Sequence, residues 1–266
     1  MSARVLALLL DPAGAAGCLD AVAGACRALP GARVSGLHVR ADPAGAIMPT
    51  EEVLTAERQA AMAAEAARGA AAIRSAWESW PHPELRADWR EEAGDPASLA
   101  RAAGAFALVA MTLPRHDGLP AHRAALDALL FTEGQPVLVV PAGWTGGFGR
   151  HLAAGWRDTA GTRRALASAR PWLEAAERVT LLAVTADDPA WPGDAPGSLE
   201  AGRVERRKID PAGREEGDSL LAAVAQAGAD GLVMGAYRRS RVMEWILGGV
   251  TRHCLQAAAC PLLMVH

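Results

Sequence analysis

Lysine is almost missing from this chain. Of 27 basic residues only Lys208 is not arginine, which reads as genome base composition and not as function. The formal net charge is −3, and neither half of the chain has a basic excess of the size a polyanion-binding surface carries. No long apolar run occurs. The N-terminal run Val5 to Leu10 stops at Asp11, too short for a signal sequence and far short of the about 20 residues of a membrane span. Cysteine is sparse, at four residues (Cys18, Cys26, Cys254 and Cys260). None forms a CxxC pair, so reduced, buried thiols in a cytoplasmic protein are expected. The histidines are scattered, without HExxH, a Cys/His knuckle or a GxSxG elbow, which disfavours a zinc hydrolase or an α/β-hydrolase. No residue is assigned to a metal.

The 266 residues, 51% of them hydrophobic, suffice for roughly one or two domains with a sizeable core. A pattern occurs twice. Val5–Leu10 corresponds to His151–Trp156, and Val34-Ser-Gly-Leu-His-Val39 to Val179-Thr-Leu-Leu-Ala-Val184. Further on, Ala107–Met111 corresponds to Gly231–Gly235, and Gln135–Val140 to Cys260–Val265. The order is the same in both copies, but the first holds about twenty extra residues after its second strand. That excess is the Ala-, Glu- and Arg-rich stretch Glu51–Trp80, a helix that Thr50 could cap. The second copy has the Pro- and Gly-rich stretch Asp187–Gly202 there, which reads as a loop with one helix missing.

Between the apolar runs lie helical patterns. Gly17–Leu29 carries an i, i+3, i+4, i+7 stripe, and Thr162–Ala176 and Asp218–Ala227 behave alike. In the last, Asp218 would be the N-cap and Gly228 the stop. Short buried strands alternating with helices imply βαβ units and a parallel sheet. The expected architecture is α/β: two tandem, doubly wound parallel domains of about five strands each, residues 1–144 and 148–266, joined by Ala142–Gly147. Six of the tryptophans, Trp77, Trp80, Trp89, Trp156, Trp172 and Trp245, fall mostly at element ends and are expected to pack between layers or domains.

The densest chemistry lies near the C-terminus. A strand ends at Gly235, a loop with Arg238, Arg239 and Arg241 follows, then Gly248-Gly249-Val250-Thr251 opens a helix. In parallel sheets ligands sit beyond the carboxyl ends of the strands. Glycines there let backbone N–H groups approach a phosphate, and a helix N-terminus favours negative charge.

On these residues the chain resembles the universal stress proteins. Their nucleotide-binding members carry Gly-x2-Gly-x9-Gly-Ser/Thr after the fourth strand. Here the spacing gives Gly235, Arg238, Gly248 and Gly249. Leu37-His38-Val39 and Pro136–Pro141 are also family-like, and the run around Gly248 looks most like tandem bacterial members. The resemblance implies a Rossmann-like fold of the adenine nucleotide alpha-hydrolase kind. It implies a cytoplasmic stress-response role, and ATP or another adenine nucleotide as ligand, with Mg²⁺ if ATP. The site would use Gly235, Arg238, Gly248, Gly249, Val250 and Thr251, edged by Trp156, Arg157 and Val184. It implies an internal pseudo-dimer joined through Val137–Val140 and Leu262–Val265, with a homodimer as a further option.

The chain departs from the family pattern at several places. Arg238 stands for the second loop glycine and Gly249 for the Ser/Thr. The acidic residue after the first strand is Asp11 in copy one but Arg157 in copy two. Copy one replaces the glycine loop with Met111–Gly118. Alternatives therefore stand beside each functional reading. The glycines could serve tight turns only, and the arginines could be solvated, with Glu244 as partner. Asp11 could hold a ribose or shape the turn before Pro12, His38 could titrate or be a hydrogen-bonded structural group, and Glu51–Trp80 could dock a partner or cover the sheet. No catalytic base–nucleophile pair has a recognisable spacing. The functional alternatives are a ligand-free protein-interaction module with an unknown partner, and a weak ATPase; neither nucleic acid nor membrane is an expected partner.

Overall fold

The computed structural model describes residues 2–40, 55–102, 106–114, 120–131, 135–185, 191–193, 204–236 and 249–265. The first half runs β1 (Arg4–Leu8), α1 (Ala15–Cys26), β2 (Arg33–Arg40), α2 (Ala56–Ser79), β3 (Arg86–Ala93), α3 (Pro96–Ala102), β4 (Leu108–Thr112), α4 (Pro120–Leu130) and β5 (Val137–Val140). The second half runs β6 (His151–Gly155), α5 (Ala160–Ser168), α6 (Arg170–Ala175), β7 (Arg178–Val184), β8 (Val204–Ile209), α7 (Glu216–Ala227), β9 (Gly231–Gly235), α8 (Gly249–Ala257) and β10 (Leu262–Val265).

All ten strands form one sheet, in the order β3-β2-β1-β4-β5-β10-β9-β6-β7-β8. Read outward from the centre, the two halves have the same strand order. Within each half every pairing is parallel. The halves meet through one antiparallel pair, with Leu262 opposite Val139, Leu263 opposite Leu138 and Met264 opposite Val137. The last strands of the two copies thus join them.

Alternation along β1 shows why these strands read as unbroken apolar runs. Val5, Ala7 and Leu9 enter the core under α1, α2, α5 and α6, while Leu6, Leu8 and Leu10 enter the core under α4, α7 and α8. A sheet covered on both faces needs apolar residues at every position. The outermost strands obey another rule. β3 (Arg-Ala-Asp-Trp-Arg-Glu-Glu-Ala) and β8 (Val-Glu-Arg-Arg-Lys-Ile) are partly exposed and charged. These are the two strands for which the sequence offers no apolar run.

Four helix boundaries differ from expectation. The long helix of the first half starts at Ala56, where Thr55, not Thr50, caps it by accepting from the Arg58 N–H at 3.3 Å; Thr50–Leu54 lie outside the described residues. α1 starts at Ala15 and ends at Cys26, beyond which Leu29 closes a single turn onto Cys26. The single helix expected over Thr162–Ala176 is two, α5 and α6, because Pro171 has no N–H to continue the ladder. α7 begins at Glu216, so Asp218 sits inside its first turn, not at the cap. Gly228 ends α7 at φ +65°, in the left-handed region that glycine adopts without a Cβ penalty. Between β7 and β8 no helix occurs among the described residues.

The aromatic residues pack as expected where they are described. Trp77 stacks on Trp89 (5.7 Å between centroids) and lies 5.8 Å from Trp80. Gly36 makes room for them, since a Cβ there would fall 2.6 Å from the Trp89 ring. Trp172 spans the halves, its indole N–H donating to the Ala25 carbonyl of α1 at 3.0 Å.

The stretch between the halves is packed, not free. Phe148 is fully buried. Its carbonyl accepts from the Arg27 guanidinium at 2.9 Å. Backbone runs directly over α1: a Cβ at Gly17 would lie 2.1 Å from the Trp144 carbonyl oxygen, and one at Gly24 would lie 2.4 Å from that of Phe148. The Asp230 carboxylate then accepts from the N–H groups of Gly149, Arg150 and His151 at 2.9, 2.9 and 3.3 Å, fixing the start of β6.

His151 itself is buried. Its Nδ1 accepts from the Arg178 guanidinium at 2.8 Å, so Nε2 carries the proton and donates to Thr180 Oγ1 at 2.9 Å. Burial first, and the Arg178 charge second, hold its pKa below the ordinary imidazole range. The fold therefore favours neutral His151. That contribution is complete above about pH 6.5 and declines as pH falls toward the folded-state pKa, because the unfolded chain takes up the proton first. His122, whose pKa burial also lowers, acts in the same direction. Urea midpoints measured across this range should fall with acidification, and His151→Gln should flatten the slope. Separately, Phe148→Ala should cost about 3–5 kcal/mol of unfolding free energy in urea titration.

Candidate functional site

In a doubly wound sheet the ligand crevice opens beyond the carboxyl ends of the strands, where the strand order reverses. The reversal lies between β1 and β4 in the first half and between β6 and β9 in the second.

The crevice of the first half is filled. Asp11 Oδ1 accepts from the Ala13 N–H at 2.9 Å, shaping the turn into α1. At Gly14, the first position before α1, a Cβ would fall 2.2 Å from the Thr112 methyl group at the end of β4. Thr112 is buried, so it plugs the gap between β4 and α1. His38 is buried as well and donates through Nδ1 to the Leu9 carbonyl at 2.8 Å. Asp11 and His38 thus make hydrogen bonds that serve the local backbone. Of the loop Met111–Gly118, residues 115–118 lie outside the described set.

The second half is arranged differently. Trp156 follows β6, with its N–H donating to the Leu182 carbonyl at 2.8 Å. Its indole is buried and donates to the Pro192 carbonyl at 2.7 Å. The Arg163 guanidinium lies 5.4 Å over the ring and is itself held by Asp158. Thr159 caps α5 by accepting from the Thr162 N–H at 3.2 Å. Beside this, Gly235 ends β9, where a Cβ would touch Ala165 and the Gly161 carbonyl at 3.8 and 3.9 Å. Val184 ends β7, half-buried. Gly249 opens α8, and a Cβ there would meet no atom of the described residues within 4 Å. Val250 is half-buried and Thr251 is buried. Arg238 and Gly248, like Arg239, Arg241, Glu244 and Trp245, lie outside the described residues.

Trp156, Gly235 and Val184 therefore share one sheet edge. Arg157 is drawn off: its guanidinium pairs with Glu216 in the first turn of α7. That pairing, and the neighbouring His253–Asp218 pair at 2.9 Å, escape a linear reading because each joins segments that whole elements of the chain separate. A surface depression of about 430 Å³ lies elsewhere, lined by Asp20, Arg27, His82, Glu84 and Gly147 among others. It adjoins the C-terminal half of α1 and the residues leading into β3, the amino edge of the sheet, opposite to where this fold places ligands.

The cysteines are all free and buried. Burial pushes Cys18, Cys26 and Cys254 up to about 12 and Cys260 up to about 11, so none is a thiolate nucleophile near neutral pH. Among the described residues no helix is long and apolar enough to cross a membrane.

Residues 158–266, which contain α5 to β10, match the family model for the universal stress protein family. The whole chain superposes on two solved structures. One is a universal stress protein from Archaeoglobus fulgidus DSM 4304, with TM-score 0.58 and 15% identity, covering 97% of this chain and 95% of that one. The other is a functionally unknown protein from Pseudomonas aeruginosa PAO1, with TM-score 0.53 and 14% identity, covering 99% and 92%. At that identity the likeness is one of fold. No curated protein matches the chain in a sequence-level comparison. The universal stress fold is present twice, since the first half repeats the strand order of the matched second half.

The Arg157–Glu216 pair is close to half exposed on both sides. Arg157→Ala should therefore shift thermal stability by less than about 1 kcal/mol, as read by circular dichroism melting.

Proposed function

We propose that this is a cytoplasmic stress-response protein built as a tandem of universal stress domains, 1–144 and 148–266, and that its second domain binds an adenine nucleotide. The observation that carries the reading is Gly249 on the first turn of α8, where a Cβ would meet no atom of the described residues within 4 Å, together with Gly235 at the carboxyl end of β9. A helix N-terminus with an unobstructed glycine offers backbone N–H groups to a phosphate. Val250 and Thr251 follow on the same turn, and by the family spacing Gly248 and Arg238, which lie outside the described residues, would join the site, an arginine being able to pair with a phosphate. Trp156, Arg157 and Val184 form the rim on the β6 and β7 side. With ATP, Mg²⁺ would accompany the phosphates.

A second reading has its own observation. Arg157 occupies the position after the first strand where an acidic residue is expected, and it is already paired with Glu216. On that reading the nucleotide site has been lost and the protein works by docking a partner. Among the described residues no pair of side chains in a base–nucleophile arrangement supports a hydrolase, so turnover of ATP is the least supported use of the site.

The two readings separate in one experiment. Heat-released small molecules from the purified protein are identified by mass spectrometry, and ATP is titrated by calorimetry with Mg²⁺ present. Nucleotide binding predicts a saturable heat that Gly249→Val abolishes while the variant still melts cooperatively, since a Cβ at this position would meet no atom of the described residues within 4 Å. No co-purified nucleotide and no heat at millimolar ATP would sink the nucleotide reading.

A further inference from the structure

Three metal-binding side chains meet where α7 and α8 touch. Glu215 precedes α7, Asp218 lies in its first turn, and His253 comes from α8. One ligand atom from each lies within 4.8 Å of the others. His253 Nε2 is 2.9 Å from Asp218 Oδ1. The imidazole is seated by the backbone opposite it. A Cβ at Gly217 would fall 2.8 Å from His253 Cβ and 2.9 Å from a ring carbon, so only glycine leaves room for the ring between the helices. Its side chain is 23% exposed, open enough for an ion to reach. The Glu215 carboxylate makes no capping bond to α7.

The charge balance favours a cation. Two carboxylates outweigh the partial positive charge of the α7 N-terminus, about half an elementary charge. The Arg157 guanidinium, which reaches the same turn of α7, is taken up by Glu216. The donor set decides the class of ion. Mg²⁺ and Ca²⁺ take oxygen ligands, whereas one imidazole with two carboxylates suits a first-row transition ion. An ion at about 2.1 Å from each ligand spaces tetrahedral donors roughly 3.4 Å apart, which small side-chain rotations reach from the present spread.

We propose that Glu215, Asp218 and His253 bind one divalent transition-metal ion, of the zinc class, that clips α7 to α8. The clip would brace α8, the helix on which Gly249–Thr251 stand, but it needs no nucleotide and holds or fails independently of that reading.

The test uses untagged, chelator-treated full-length protein titrated with ZnCl2 by calorimetry, and with CoCl2 followed by its visible absorption. A single site per chain is expected, with cobalt bands typical of mixed nitrogen and oxygen ligation. Glu215→Gln and His253→Gln should each weaken zinc binding by more than about tenfold. Glu215 is exposed, so its variant reports on the site even if the His253 variant folds poorly. Absence of saturable binding, or binding that both substitutions leave unchanged, would overturn the assignment and leave His253 and Asp218 as an ordinary surface pair.

Discussion

The antiparallel contact between Val137–Val140 and Leu262–Val265 governs the rest of the molecule. A five-stranded parallel sheet ending in a fully apolar strand cannot expose that strand to water without inviting association. Joining the two terminal strands to each other buries both in the middle of a ten-stranded sheet. The remaining edges, β3 and β8, are then the only ones to protect, and they carry arginine, glutamate and lysine side chains that discourage further strand addition. The charged edge strands and the apolar central pair are two sides of one solution.

The join would be weak if it rested on one short strand pair. It is reinforced on the face that carries α1. Gly17 and Gly24 remove the side chains that would hold the connecting segment away, and Phe148 sinks into the core beneath it. Trp172 from the second half bonds the Ala25 carbonyl near the end of α1, which also accepts from the Ala28 N–H at 3.2 Å. Both halves therefore contribute to one continuous core on that face.

The strands buried on both faces were legible because burial leaves its mark as uninterrupted apolar residues, as in Val5–Leu10 and Val179–Val184. β3 and β8 were not, since an edge strand under partial cover can be polar at almost every position, and Arg-Ala-Asp-Trp-Arg-Glu-Glu-Ala carries no periodic signal. Thr50 and Thr55 are locally similar capping candidates, and only the packing of Ile73 and Trp77 sets where the helix below them lies. Pro171 did mark the break between α5 and α6, but the amphipathic pattern continued through it. At the site, Gly235 and Gly249 announce themselves because glycine at a strand end and a helix start is a local signal. Arg157 with Glu216, and His253 with Asp218 and Glu215, are meetings made by the fold, with no trace in linear spacing.

A chain that carries both copies of a domain escapes a restriction that binds a dimer of identical subunits. In such a dimer every substitution appears on both sides of the symmetry axis, so neither site can change alone. Here the two copies are separately encoded while the linker keeps their seam intramolecular and so independent of protein concentration. The first copy plugs its crevice with Thr112 against Gly14 and carries the long helix α2; among the described residues the second has no helix between β7 and β8, and a Cβ at its Gly249 would meet none of them within 4 Å. Because the central strand pair runs antiparallel, the two carboxyl edges point to opposite ends of the sheet. One end is thereby free to become solid scaffold while the other remains available to a ligand, a division of labour that exact symmetry forbids.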